Sequence, residues 1–115
     1  MKKYLLLLHE DAEQLQKLSP KEMEDLVGAH MVWAEKLGAA GHLIAGEGVE
    51  ERSIQITGKE SIVKDGTFLE VKEMIGGFYY LQAESLEQVI ELAKDCPCHL
   101  WGGTTEIRPI MAYEE

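Results

Sequence analysis

Two helix starts divide this chain and fix most of what it can become. Ser19-Pro20-Lys21-Glu22 stacks three signals. The Ser side chain can accept from the first free backbone N–H groups, Pro sits where φ already suits a helix, and Glu three residues after the Ser closes a capping box. Met23, Leu26, Val27, Met31, Ala34 and Leu37 then fall mainly at spacings of three and four. They define an apolar stripe that the helix is expected to bury until Ala40-Gly41 ends it. Ser85-Leu86-Glu87-Gln88 repeats the start for a second helix, with Leu86, Val89, Ile90 and Ala93 as its stripe and Pro97 as its stop.

Short apolar runs surround these helices. Tyr4 to Leu8 is too short for a helix and suits a strand covered on both faces. His42 to Ala45 leads into Gly46-Glu47-Gly48, Phe78 to Gln82 forms another strand, and Thr104 to Met111 a last one. Ser53 to Thr57 alternates, and Gly58-Lys59 turns it back into Ser61-Ile62-Val63 as a hairpin. Without that hairpin the order is strand, helix, strand, strand, helix, strand. The expected fold is α+β: a ferredoxin-like antiparallel sheet with two helices on one face and an inserted β-hairpin. No third helix remains to cover the other sheet face, so a second copy of the chain is expected there, giving a homodimer.

A length of 115 residues fits one domain spanning 1–115. The formal charge of -10, from 21 acidic against 11 basic residues, has the wrong sign for a phosphate backbone and makes nucleic acid and anionic membranes poor partners. No apolar run approaches the ~20 residues needed to span a bilayer. Met1 to Leu8 imitates the start of a secretion signal, but Glu10 and Asp11 stand where small residues would permit cleavage. Cys96 and Cys98 flank Pro97, where a bridge would close a strained ring, so reduced thiols in a cytoplasmic protein are expected.

The stretch from Val63 to Tyr80 is what core-building does not require. Asp65-Gly66 has the composition of a tight turn. Phe68, Glu70, Lys72 and Glu73 follow, and Gly76-Gly77 then opens the run Phe78-Tyr79-Tyr80-Leu81. Two adjacent glycines at a strand entrance allow a bulge or let another group approach the backbone closely. The order Asp65-Gly66-x-Phe68-x-Glu70-x-Lys72-Glu73-x-x-Gly76-Gly77-Phe78 resembles the signature of the YCII-related proteins, in particular the DGPF-domain branch, with Thr67 where that branch usually has Pro. The likeness runs from the Tyr4 to Leu8 strand through Gly46-Glu47-Gly48 to Glu106-x-Arg108-Pro109. It implies a dimeric α/β barrel built by pairing sheet on sheet.

The resemblance also bears on chemistry. His30 lies three residues beyond Val27 and four before Ala34, which places an imidazole, the usual general base, on the apolar stripe of the first helix. Relatives have a His at the matching place, and some are thought to pair it with an Asp. Matching the helices through His30 and Gly41 puts that Asp position on Ala39, so the dyad does not transfer directly. Glu47, between two glycines, and the acids of the signature are the carboxylates that could substitute. The candidate catalytic residue is therefore His30, and the candidate ligand-binding residues are Glu47, Asp65, Glu70, Lys72, Glu73, Phe78 and Arg108. Arg108 alternates with Glu106, so the two either pair or leave Arg108 to hold an anionic ligand. Cys96, Cys98 and His99 lack the spacing of a structural zinc site, and neither metal nor cofactor is expected. Two functional classes remain open. One is a pocket for a small organic ligand with cofactor-free acid–base chemistry at His30. The other is a non-catalytic ligand-sensing or protein-interaction module, which the resemblance links to transcription regulators and the negative charge suits to a basic partner surface.

Overall fold

The computed structural model describes residues 1–66 and 73–112. Its order is β1 (Lys2–Asp11), α1 (Ala12–Gln16), α2 (Pro20–Ala39), β2 (Leu43–Gly48), β3 (Ser53–Thr57), β4 (Ile62–Gly66), β5 (Glu73–Ala83), α3 (Leu86–Ala93), a 3₁₀ turn (Pro97–Trp101) and β6 (Thr104–Pro109). The fold is mixed α+β. Four strands form one sheet in the order β2-β5-β1-β6, with every neighbouring pair antiparallel. β3 and β4 form a separate two-stranded sheet.

Both helix starts are built as the sequence predicts. The Ser19 side chain accepts from the Glu22 N–H while the Glu22 carboxylate accepts from the Ser19 N–H, and Ser85 accepts from the Gln88 N–H. Gly41 and Gly102 take positive φ at the ends of α2 and the 3₁₀ turn, as helix exits often require. The short helix α1 occupies the polar stretch after β1, capped by Asp11, whose side chain accepts from the N–H groups of Glu13 and Gln14. Its start is written in Asp11 rather than in any apolar period.

Strand alternation places the core. Tyr4, Leu6 and Leu8 of β1 and Tyr79, Leu81 and Ala83 of β5 are buried on one sheet face, together with Trp33 and Leu37 from α2 and Val89 and Ala93 from α3. Leu6, Leu81 and Val89 are fully buried, each contributing about 1.5–3 kcal/mol by removal from water. Leu5 and Leu7 point the other way and are only half-buried, so within one chain the first strand is covered on one face, not on both.

Two local expectations give way. Asp65-Gly66 is not a turn: Ser53 pairs with Gly66 and Ile54 with Asp65, so the hairpin continues through both residues. The chain reverses at Gly58 to Ser61, where Gly58 and Ser61 carry positive φ. The apolar stripe of α2 is also narrower than its periodicity suggests. Leu26, Trp33 and Leu37 are buried, whereas Met23, Val27 and Met31 are 40%, 53% and 64% exposed. Those three side chains face an open cavity rather than the packed core.

Candidate functional site

The cavity begins where the core stops. Along α2, Leu26, His30, Trp33 and Leu37 recur at helical spacing on the side turned to the sheet. Trp33 and Leu37 pack into the core; His30, one turn before Trp33, is half-buried at its margin. Opposite it, β5 presents Tyr79, which pairs in register with Leu6 and so shares the helix-facing side with Leu81. Gly46 of β2 makes room for that ring, because a Cβ there would stand 2.7 Å from it.

Tyr79 is held on two sides. Its ring meets Trp33 edge to face, centroids 4.9 Å apart and planes at 85°. It lies nearly parallel to the His30 imidazole, at 16° and 6.1 Å. A 2.8 Å hydrogen bond joins the Tyr79 hydroxyl to His30 Nδ1. Burial pushes the Tyr79 phenol up to about 12, with neighbouring acidic groups adding to the effect, so the hydroxyl keeps its proton at neutral pH. Burial lowers the His30 pKa, since a partly desolvated imidazolium is unfavourable, and the ring is held toward its neutral form. In the tautomer whose Nδ1–H donates to the phenol oxygen, Nε2 carries the lone pair of a base. Among the described residues Nε2 has no hydrogen-bond partner.

The space in front of this pair measures ≈ 540 Å³ and lies between α2, the end of β1, β2 and the entrance to β5. Leu15, Met23, Val27, Met31 and Met74 supply apolar wall, and Glu10, Glu47 and Glu51 supply carboxylates. Glu10 is the next helix-facing position of β1 after Leu6 and Leu8. Its place depends on a bulge: Leu8 pairs with Gly77 and His9 with Ile75, leaving Gly76 as the extra residue. A Cβ on Gly76 would stand 2.6 Å from Glu10 Oε1, so the missing side chain is what seats the carboxyl. Gly77 is tight against backbone, 2.9 Å from the Glu47 carbonyl oxygen by the same measure. The Gly-Gly pair thus provides both a bulge and a close approach. Burial raises the Glu10 pKa.

The other sequence candidates are spread over the molecule. Glu47 lines the cavity beside His30. Asp65 lies on the hairpin, 3.4 Å from Arg52, and both are exposed. Phe78 pairs with Leu7 and Glu47, and alternation turns it to the sheet face opposite Tyr79. Arg108 lies on β6, where its guanidinium is 3.7 Å from Glu106, so the two do pair. Glu106 also accepts from His9 Nε2 at 2.7 Å. None of these three candidates lines the cavity. Glu70 and Lys72 lie outside the described residues; of Glu73 only the backbone is described, paired with Asp11. Ala39, the position of the relatives' Asp, is exposed at the end of α2.

Glu10 and Tyr79 are what the sequence reading missed. The signal for Glu10 was the period of two running Leu6, Leu8, Glu10, which puts a carboxylate on the core face. Tyr79 stood in an apolar run where a core tyrosine attracts no notice, and only the strand register sets it against His30.

Cys96 and Cys98 are both free and buried behind this site. The side-chain interaction between the two thiols lowers the Cys96 pKa and raises that of Cys98. His99 bonds instead to Thr105 Oγ1 at 3.0 Å, and no three metal-ligating side chains converge among the described residues. A second hollow of ≈ 750 Å³ lies on another side of α2, lined in part by Lys36, His42 and Asp95. His42 Nδ1 there is 2.9 Å from the Gln82 carbonyl oxygen, a tie to backbone.

Comparison with known proteins gives this geometry a family. The YCII-related domain matches residues 2–114, and the chain belongs to that family. An uncharacterized protein of Rhizobium meliloti (strain 1021) is 29% identical over 118 residues, covering 96% of this chain and 94% of its own. Among solved structures, the 5-chloro-2-hydroxyhydroquinone dehydrochlorinase of Burkholderia phenoliruptrix AC1100, in complex with 2,5-dihydroxybenzoquinone, aligns with a TM-score of 0.55 at 21% identity. That alignment covers 92% of this chain and 90% of the dehydrochlorinase, and the two share a fold.

Among the described residues, no helix is long and apolar enough to cross a membrane.

Proposed function

We propose that this chain binds a small organic molecule in the cavity beside His30 and performs cofactor-free proton transfer on it, with His30 as the base. The observation that carries the reading is the 2.8 Å contact between His30 Nδ1 and the Tyr79 hydroxyl at the cavity wall. A general base needs its ring oriented and the correct nitrogen free. Tyr79, from another element, supplies the orientation; Ala39, nine residues beyond His30, lies on the far side of α2 and is exposed. A neutral acceptor stabilises the resulting imidazolium less than a carboxylate does, which suits proton abstraction from a hydroxyl or from a carbon activated by a neighbouring carbonyl. Glu47, at the same cavity, is the ligand contact among the earlier candidates. The dehydrochlorinase of the same fold, which carries an oxygenated ring compound, is consistent with a small substrate.

The assembly in this reading is a cytoplasmic homodimer of ferredoxin-like sheets closing into an α/β barrel. The antiparallel order β2-β5-β1-β6 supports it, as does the second sheet face, where Leu5, Leu7, Phe78 and Tyr80 remain half-buried in a single chain. The other functional class has its own support: Ile54, Ile56, Ile62 and Val63 are all more than half exposed on the hairpin, as in a surface that meets a protein. Catalysis and docking separate in one assay. Incorporation of solvent deuterium next to the carbonyl of cyclohexanone, followed by proton NMR, should be faster with the chain than with His30→Ala by about a hundredfold. Equal rates would remove the catalytic reading and leave the module.

A further inference from the structure

The cavity has a second polar pole that the base does not use. Glu10 reaches it from β1, across the sheet surface from α2, and shares it with His30 and apolar side chains of Val27, Met31 and Met74. Its seat is constructed: the bulge at Gly76 and the absence of a Cβ there give the carboxyl its space. Nothing among the described residues is hydrogen-bonded to the Glu10 side chain, and it forms no ion pair with Lys, Arg or His there. A carboxyl placed among apolar walls without a protein donor is set to take its hydrogen bond from a ligand, and it disfavours a second negative charge close by.

We propose that Glu10 is the specificity-determining residue of this cavity, and that the ligand is a compact, uncharged, hydroxylated organic molecule. A hydroxyl of the ligand bonds to the Glu10 carboxyl, its hydrocarbon body lies against Val27, Met31 and Met74, and its reacting end faces His30. Carboxylic acids of the same size are excluded by repulsion from Glu10. This inference rests on the proposed use of the cavity and adds the chemical class it accepts.

A matched pair of probes tests it: 4-hydroxybenzyl alcohol and 4-hydroxybenzoate share a ring and a phenol and differ in one charge. Each is titrated into the full chain near pH 7, following backbone amide shifts of Met74, Gly76 and Gly77 in proton–nitrogen correlation spectra. The alcohol should shift these amides and bind at least about tenfold more tightly than the benzoate, a difference of about 1.4 kcal/mol. Glu10→Gln, which keeps size and removes charge, should reduce the preference to about threefold or less, and Glu10→Lys should reverse it. Equal binding of the two probes by the native chain, a preference untouched by Glu10→Gln, or absence of shifts with both probes would each overturn the proposal. The preference can hold while His30→Ala leaves deuterium incorporation unchanged; that outcome would sink the catalytic reading and leave the specificity of Glu10 standing.

Discussion

His30 Nδ1 and the Tyr79 hydroxyl lie 2.8 Å apart, and they join residues 49 positions apart in sequence. Helix α2 delivers one and strand β5 the other, so the pair exists only when helix and sheet have docked. Removing the hydroxyl with Tyr79→Phe keeps the ring that packs against Trp33. Stability should fall by about 0.5–1.5 kcal/mol, the net value of one hydrogen bond. Deuterium incorporation should fall by about tenfold, because a ring free to rotate presents Nε2 less often. Urea unfolding and the exchange assay check the two parts separately.

The two glycines of β5 should respond differently to the same added methyl group. At Gly77 the Cβ would meet the Glu47 carbonyl at 2.9 Å, so backbone must move, and Gly77→Ala should cost about 1–3 kcal/mol. At Gly76 the obstacle is the end of the Glu10 side chain at 2.6 Å, which can swing away. Gly76→Ala should therefore cost less stability and instead displace the Glu10 carboxyl. Thermal unfolding of both variants, beside the 4-hydroxybenzyl alcohol titration, gives the comparison.

Stability should depend on pH in two opposed ways. Burial depresses His30 below its ordinary 6.5, so the folded chain resists a proton that the unfolded chain accepts. The stability from this group is fully present above 6.5 and is lost as pH falls below it toward the folded value. Glu10 is raised above its ordinary 4.5, so the folded chain holds the proton more tightly. Its stabilisation is present below 4.5 and is lost as pH rises through the folded value. Urea midpoints measured from about pH 4 to 8 should lose the acid-side decline in His30→Ala and the opposing trend in Glu10→Gln. Unchanged slopes in both variants would contradict the buried placement of these groups.

The half-buried sheet face predicts assembly. Leu7 and Tyr80 lie on the face turned away from the helices, and replacing them with Glu and Lys leaves the core side untouched. The native chain should sediment at twice its 12.9 kDa mass, and Leu7→Glu with Tyr80→Lys should sediment as a monomer that still unfolds cooperatively. A native chain sedimenting at its single mass would remove the proposed barrel.

Much of the fold was legible because its signals are local. The Ser19-Pro20-Glu22 start needs only four residues to form, and α2 begins where it says, at Pro20. The site was less legible because it is made of pairings. Met23, Val27 and Met31 satisfy helical periodicity as well as Leu26 and Leu37 do, and periodicity does not distinguish a cavity from a core. His30 was readable from its place on that stripe, whereas its partner depended on which β5 residue the sheet register turns toward α2. Asp65-Gly66 misled for a related reason: its composition suits a turn, but pairing with Ser53 and Ile54 holds both residues in a strand.

In the proposed function His30 is an inward, neutral imidazole oriented by Tyr79. Carbon- and nitrogen-detected titration of the His30 ring by NMR measures this directly. A midpoint below 6.5 is expected in the native chain, with a change in the populations of the two ring tautomers in Tyr79→Phe. A midpoint at or above 6.5, with ring shifts indifferent to Tyr79→Phe, would contradict it.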